Sequence, residues 1–477
     1  MKEIDVDIRN APADEVLLHR LCELIGGAAV AARAYLRSLR LSGPLHLGVI
    51  FHMLAPWAAH FVQLEAVMLA QGAVDWQPAV AACVLHQLPA LQQLQFRFSF
   101  NDEKPPRDLL SLLLLPSVAA AVAVAGANGT AALRPGMPQL QHLALVYPPR
   151  SVIPPTAPLP DALSLLTQLT ALKLKRYPTT AVPSFAALTN LRFLLWDPAL
   201  PADAAYTMPD GLEQLTQLEC LWIVAQWPLQ LPTSLAPNLR GLHTMVRGQQ
   251  EDDPELQRWD WLGHFTQLRS LRLQGVGMRE LPWEIASLSQ LTRLDLMVNH
   301  LEELPAGPYL RQLQYVHLGN NRFSRFPSAL LEAENLVAAY LANQSTSSGS
   351  GRSSPGGSST GSSYGVMRCG TGFTRRMELM AADVEGLLAL RSLRTLVMGN
   401  LQPVIILPGL ARQDFSWLQR YLRQGSGARL TSNELAYPLQ GKEVFDIQPL
   451  LPGFGGGGGG SDGSGRLDSL SLEPPPR

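Results

Sequence analysis

The sequence predicts an α/β solenoid, a stack of short parallel strands joined on the outside by short helices or turns. Three observations predict it. First, the motif L-x-x-L-x-L recurs along the 477 residues, with starts at Leu36, Leu64, Leu91, Ala119, Leu140, Leu169, Leu191, Leu218, Leu239, Leu268, Leu291, Leu313, Leu336 and Leu393. These starts lie 21 to 29 residues apart except for a last gap of 57, and a period in that range marks one supersecondary unit stacked many times. Second, the rhythm within a unit is neither helical nor simply alternating. In "LTRLDLMVNHLEELP", Leu291 to Pro305, leucines stand at the first, fourth, sixth, eleventh and fourteenth positions. Third, an asparagine follows the strand-like L-x-L and a proline closes the stretch. Asn299 and Pro305 do this here, and Asn321 and Pro327 do it in "LQYVHLGNNRFSRFP".

Each element follows from that unit. A short strand sends alternate side chains to opposite faces. Leu294, Leu296, Val316 and Leu318 are therefore expected inside, with Arg293, Asp295, Tyr315 and His317 facing out. No unit covers its own leucines, so stability comes from stacking and from capped ends. An amide side chain at Asn299 or Asn321 can bond the backbone of its own turn and of the next coil. Elsewhere that position holds Tyr177, Gln226, Arg247 or Val276, which predicts an irregular spine in the first half. The expected organisation is an N-terminal segment over 1–35, an array over 36–344, a Ser/Gly loop over 345–365, a last repeat with a capping helix over 366–450, and a disordered tail over 451–477.

The best-formed units, "LRSLRLQGVGMRELP", "LTRLDLMVNHLEELP" and "LQYVHLGNNRFSRFP", resemble the leucine-rich repeat family, in the style of its intracellular plant-type and Ras-group-related branch. That resemblance implies a horseshoe with a parallel sheet on the concave side and protein recognition there. A second resemblance lies at "APADEVLLHRLCELI", Ala11 to Ile25. It is similar to the first helix of an F-box, with Pro12, Glu15, Val16, Leu17 and Leu21 in the matching positions, and would imply docking of a cullin adaptor and a role as a ubiquitin-ligase substrate receptor. The stretch that follows, "GGAAVAARAYLRSLRL", lacks the basic-x-Trp ending of that motif. An amphipathic helix capping the first coil is the other reading.

Composition excludes several classes. With 46% hydrophobic and 16% charged residues the chain can build a core, and a net charge of -1 without a Lys/Arg run argues against a nucleic-acid partner. Cys22, Cys83, Cys220 and Cys369 are too scattered for a disulfide framework or zinc site, which favours a reducing compartment. The start carries no apolar signal region. Leu109 to Gly126, "LLSLLLLPSVAAAVAVAG", approaches the length of a membrane span, yet in the repeat register it divides into an outer segment and a buried strand, so no membrane contact is expected. "GSSTG" from Gly357 and "GFGGGG" from Gly453 match catalytic or nucleotide motifs only as Ser/Gly tract, with no strand or helix to present them. No cofactor, metal or enzymatic activity is expected.

Function is therefore sought on the outward strand positions. In order these are Arg40, Met68, Gln95, Ala123, Ala144, Lys173, Leu195, Trp222, His243, Arg272, Asp295, His317, Tyr340 and Val397, flanked by Phe193, Arg293 and Tyr315. The band of Phe193, Trp222, His243, Arg272, Arg293, Tyr315, His317 and Tyr340 is rich in the residue types that dominate interface energetics, and is the expected partner-binding face. The location expected is the cytoplasm, with the cytoskeleton or ciliary axoneme as the alternative. Since a solvated loop adds closure entropy that rises only slowly with length, deleting Ser345 to Gly365 is expected to leave the thermal midpoint nearly unchanged. Loss of cooperative unfolding in that deletion, followed by circular dichroism, would show an ordered element there.

Overall fold

A computed structural model describes residues 3–7, 35–42, 51–72, 78–98, 137–147, 161–179, 184–199, 208–225, 229–246 and 259–341, and parts of 344–405, apart from single positions within these ranges. The chain divides between Leu218 and Glu219 into two compact units. In the first, β1 (Glu3–Asp7), β2 (Ser38–Ser42), β3 (Ala66–Gly72), β4 (Gln93–Phe98), β5 (His142–Val146), β6 (Ala171–Pro178) and β7 (Phe193–Ala199) pair in chain order, all parallel. In the second, β8 (Cys220–Ala225), β9 (Gly241–Val246), β10 (Ser270–Gln274), β11 (Arg293–Asp295), β12 (Tyr315–His317), β13 (Ala338–Tyr340) and β14 (Thr395–Met398) do the same, and β15 (Val404–Ile405) turns back antiparallel. Consecutive parallel neighbours require one crossover per strand, and the repeat supplies it.

The crossovers are short because the sequence ends each one early. Prolines open them at Pro78, Pro232, Pro282, Pro308 and Pro327, and the segments that follow are mostly single 3-10 turns such as Thr233–Leu235 and Pro308–Gln312. Each closes on the leucine that leads the next strand. The N–H groups of Leu169, Leu218, Leu268, Leu291 and Leu313 donate to the carbonyl three residues back at 2.9 to 3.3 Å. From there the strand buries alternate residues. Leu294, Leu296, Val316 and Leu318 are fully buried, as are Leu271 and Leu273, and each such side chain contributes about 1.5 to 3 kcal/mol when fully removed from water.

Beyond each strand the chain turns out through a left-handed residue. Arg176, Gly275, Val298 and Asn320 all have φ between 54° and 69°, and each immediately precedes the spine position. Glycine and asparagine adopt this conformation readily, whereas β-branched Val298 is strained in it. At the spine position Asn299 receives the N–H groups of Val276 and Met278, both at 3.1 Å, and donates to Leu273 and Leu296 at 2.8 and 2.9 Å. Asn321 repeats the pattern with Leu301, Leu296 and Leu318. Gln344 extends it with Phe323, Leu318 and Leu341. The amides reach back to the preceding coil rather than forward to the next, so each coil is clasped by the one after it.

The first unit departs from this. Tyr177 occupies the spine position and packs edge-on against Tyr147 at 5.7 Å, which meets Phe98 at 4.7 Å. Aromatic packing stands there in place of amides. Another expectation is overturned: Gln93 pairs directly with His142, so no strand begun at Ala119 lies between β4 and β5. Strands β1 and β15 lay outside the sequence expectation altogether. The F-box-like helix at 11–25, the Leu109 to Gly126 segment, the Ser/Gly loop, the capping helix at 414–424 and the tail lie outside the described residues.

Replacing Asn321 by leucine keeps the branched shape but orphans the buried Leu301 N–H and leaves the Leu296 and Leu318 carbonyls with one amide donor each, from Asn299 and Gln344. An unpaired buried group costs about 1 to 3 kcal/mol, so Asn321→Leu is expected to lose about that much in urea unfolding. A loss below about 1 kcal/mol would mean that the spine contributes little.

Candidate functional site

Strand pairing decides which outward residues meet. In the second unit Trp222, His243, Arg272, Asp295, His317, Tyr340 and Val397 stand in one in-register row. Gly241, Ser270, Arg293, Tyr315 and Ala338 form the row beside it. The positions predicted to lie side by side do so. At about 4.8 Å per strand, the five steps from Trp222 to Tyr340 extend about 24 Å.

The row is a chain of lateral contacts. Trp222 and His243 lie with ring centroids 5.4 Å apart, and the guanidinium of Arg272 sits over the Trp222 ring at 5.9 Å. Arg272 Nε donates to Asp295 Oδ2 at 2.8 Å, and its other end reaches Gln274 Oε1 at 3.1 Å. The backbone N–H of Met297 donates to Asp295 Oδ1 at 3.0 Å. His317 stacks on Tyr340 at 5.5 Å and 16°. In the second row the Arg293 guanidinium lies over Tyr315 at 5.6 Å.

Three outward positions expected to reach solvent do not. Asp295 is only 2% exposed, since Arg272 and the Met297 amide take up its two oxygens at the surface. His243 is 1% exposed, covered by the Trp222 ring and held by a 3.2 Å contact between its Nε2 and the Ser270 hydroxyl. Phe193 is buried together with Leu195 and Asp197. It also belongs to β7 in the first unit. Alternation tells which way a side chain points and not what lies over it. Trp222, Arg272, Arg293, Tyr315, His317 and Tyr340 keep partial exposure.

The electrostatics follow from burial. Burial lowers the pKa of His243 well below the ordinary value, with Arg272 and then Arg293 adding to the effect. His317 is also lowered by burial, with Asp295 opposing and Arg272 reinforcing. Both imidazoles are therefore neutral at pH 7, and the 3.8 Å approach of His317 Nδ1 to Asp295 is too long for a hydrogen bond. Burial, then Tyr315, raises the Tyr340 phenol. In the first unit the corresponding row is Arg40, Met68, Gln95, Ala144, Lys173 and Leu195, where Ala144 and Leu195 are buried. A hollow of about 310 Å³ opens there on the rim where the strands begin, lined by Gln141, Gln168, Thr170, Asn190, Arg192 and Gln217.

Among the described residues no three His, Cys, Asp or Glu side chains converge as a metal site would require. Nor is any helix among them long and apolar enough to cross a membrane.

A repeat of this length, with one parallel strand, an L-x-x-L entry, a buried amide after the strand and a short crossover, defines the leucine-rich repeat. The chain has the leucine-rich repeat fold. No family model matches it. It is 27% identical over 214 residues to the human volume-regulated anion channel subunit LRRC8E, an alignment covering 43% of this chain and 26% of that protein. The chain thus spans about a quarter of the curated relative it matches. Among solved structures it is similar to a leucine-rich repeat protein of Leptospira interrogans, with 18% identity, coverage of 78% and 86% of the two chains and a TM-score of 0.42. It is also similar to an internalin of Listeria monocytogenes, with 16% identity, coverage of 83% and 92% and a TM-score of 0.42. The repeat class rests on the chain's own register and amide spine.

The buried histidines make stability depend on pH. Above pH 6.5, the ordinary value, His243 is neutral whether folded or unfolded. As pH falls through that value the unfolded chain takes up the proton first, so the folded state loses stability toward its own lower pKa. His243→Gln removes this share. Between pH 7.5 and 5.5 the variant's melting temperature is expected to fall less than the wild type's, and equal slopes would show that His243 is not the source.

Proposed function

We propose that this chain is a non-enzymatic interaction scaffold that binds a protein partner on the open face of β8 to β13. The observation that carries the reading is the in-register row in which Trp222, Arg272, His317 and Tyr340, with Arg293 and Tyr315 beside it, remain partly exposed. Tryptophan, tyrosine and arginine are the side chains that dominate interface energies. Here they are already held by ring, guanidinium and carboxylate neighbours, so little side-chain freedom remains to be lost on binding. Phe193 and His243 drop out of the contact set because they are buried. Free thiols at Cys83 and Cys220 suit a reducing compartment, and we take the cytoplasm as the setting.

Proximity labelling with the full chain identifies a partner, whose affinity is then measured against two sets of variants. Trp222→Ala, Tyr315→Ala and Tyr340→Ala are each expected to cost about 1 to 3 kcal/mol of binding with little change in thermal unfolding. Gln95→Ala and Lys173→Ala occupy the same strand position in the first unit and are expected to be tolerated. Arg272→Ala is a poorer probe, since it strands the buried Asp295 carboxylate. Binding lost with the Gln95 and Lys173 changes but kept with the aromatic ones would move the partner to the first unit.

A further inference from the structure

Among the described residues, the outward rows of the second unit carry two arginines and one carboxylate. Arg272 and Arg293 stand on adjacent strands, and both act electrostatically on His243. One carboxylate, Asp295, lies with them. Its two oxygens are taken by Arg272 at 2.8 Å and by the Met297 N–H at 3.0 Å. Arg293 lies instead over the Tyr315 ring at 5.6 Å, half-buried, and no carboxylate among the described residues pairs with it. His243 and His317 are neutral at pH 7, so they add no charge of either sign.

Arg293 stands in its row among small and aromatic residues. Its register neighbours are Ser270 and Tyr315, a hydroxyl and an aromatic ring, and the next positions outward in the same row are Gly241 and Ala338. Both are small, with the Cys220 side chain over Gly241 and Ala338 itself buried. On the rim where β8 to β10 begin, Glu219, Arg240 and Arg269 stand side by side, with both arginines exposed, so the rim adds a net positive charge. A planar guanidinium held over a ring is pre-oriented to take a carboxylate through two parallel N–H···O bonds, and a lysine would not be.

We infer that the partner presents an acidic segment to this face, and that one of its aspartate or glutamate side chains pairs with Arg293 beside the Tyr315 ring. This rests on the reading of the open face of β8 to β13 as a protein-binding surface, and it adds the chemistry of what binds.

The test uses a displayed library of random twelve-residue peptides, panned against the full chain and, in parallel, against Arg293→Glu and Trp222→Ala. The wild type is expected to enrich peptides with Asp or Glu at a fixed distance from an apolar or aromatic residue. A synthetic copy of such a peptide is expected to bind at least about tenfold more weakly to Arg293→Glu, and to weaken similarly when its own acid is made an amide. Panning on Arg293→Glu should instead favour Lys or Arg at that position. Thermal unfolding confirms that each variant is folded, and Arg293→Gln replaces the reversal should Arg293→Glu fail to fold. Enriched peptides that depend on Trp222 but show no acidic preference, or bind Arg293→Glu unchanged, overturn the acidic inference and spare the scaffold reading. No enrichment, or binding indifferent to both Arg293 and Trp222, overturns both.

Discussion

Everything in this chain depends on one constraint: a single coil cannot cover its own leucines. Leu291, Leu294 and Leu296 lie fully buried, yet a lone unit of some twenty residues would expose them and gain nothing to set against its ordering entropy. Stacking resolves this, because parallel pairing such as Leu271 with Leu294 and Leu294 with Val316 lays each leucine ladder on the next. The gain therefore accrues between neighbours. It also forces the register, since a slip of one residue would turn Leu296 to solvent and Asp295 into the core.

The two units meet the backbone's hydrogen-bonding needs differently where the strands end. In the second, Asn299, Asn321 and Gln344 each engage groups on two coils, so buried N–H and C=O groups that leave the ladder are still paired. In the first, aromatic rings from Phe98 to Tyr177 fill the same region, and backbone bonds such as Tyr147 N–H to Lys175 at 3.0 Å do the pairing. Amides specify position through directional bonds, whereas rings bury more surface with looser direction. Val298 shows the consequence, for it stays in a left-handed conformation that its side chain disfavours because Asn299 beyond it is held by four bonds.

On the open face the same in-register pairing has another outcome. Residues that point away from the core still meet along the row, and Asp295 is as dry as many core positions although it lies on the other side of the sheet. Its ion pair with a guanidinium 23% exposed is therefore only partly screened, unlike one fully in water. That pair fixes Arg272 over Trp222, and the order passes along the row.

Much of this was determined by the sequence itself. The leucine period set the strands and their sequential order, and alternation set which residues point out. Asn299 and Asn321 were legible as spine residues because an amide at that spacing can reach two coils, and the row from Trp222 to Tyr340 came from the same register. Only the tertiary structure decided that β4 pairs with β5 past the Ala119 stretch, that Gln344 serves as a third spine amide, and that Phe193, His243 and Asp295 are covered. The reason is physical. Periodicity is a property of one strand and reports direction, whereas burial depends on side chains brought alongside from strands twenty or more residues away.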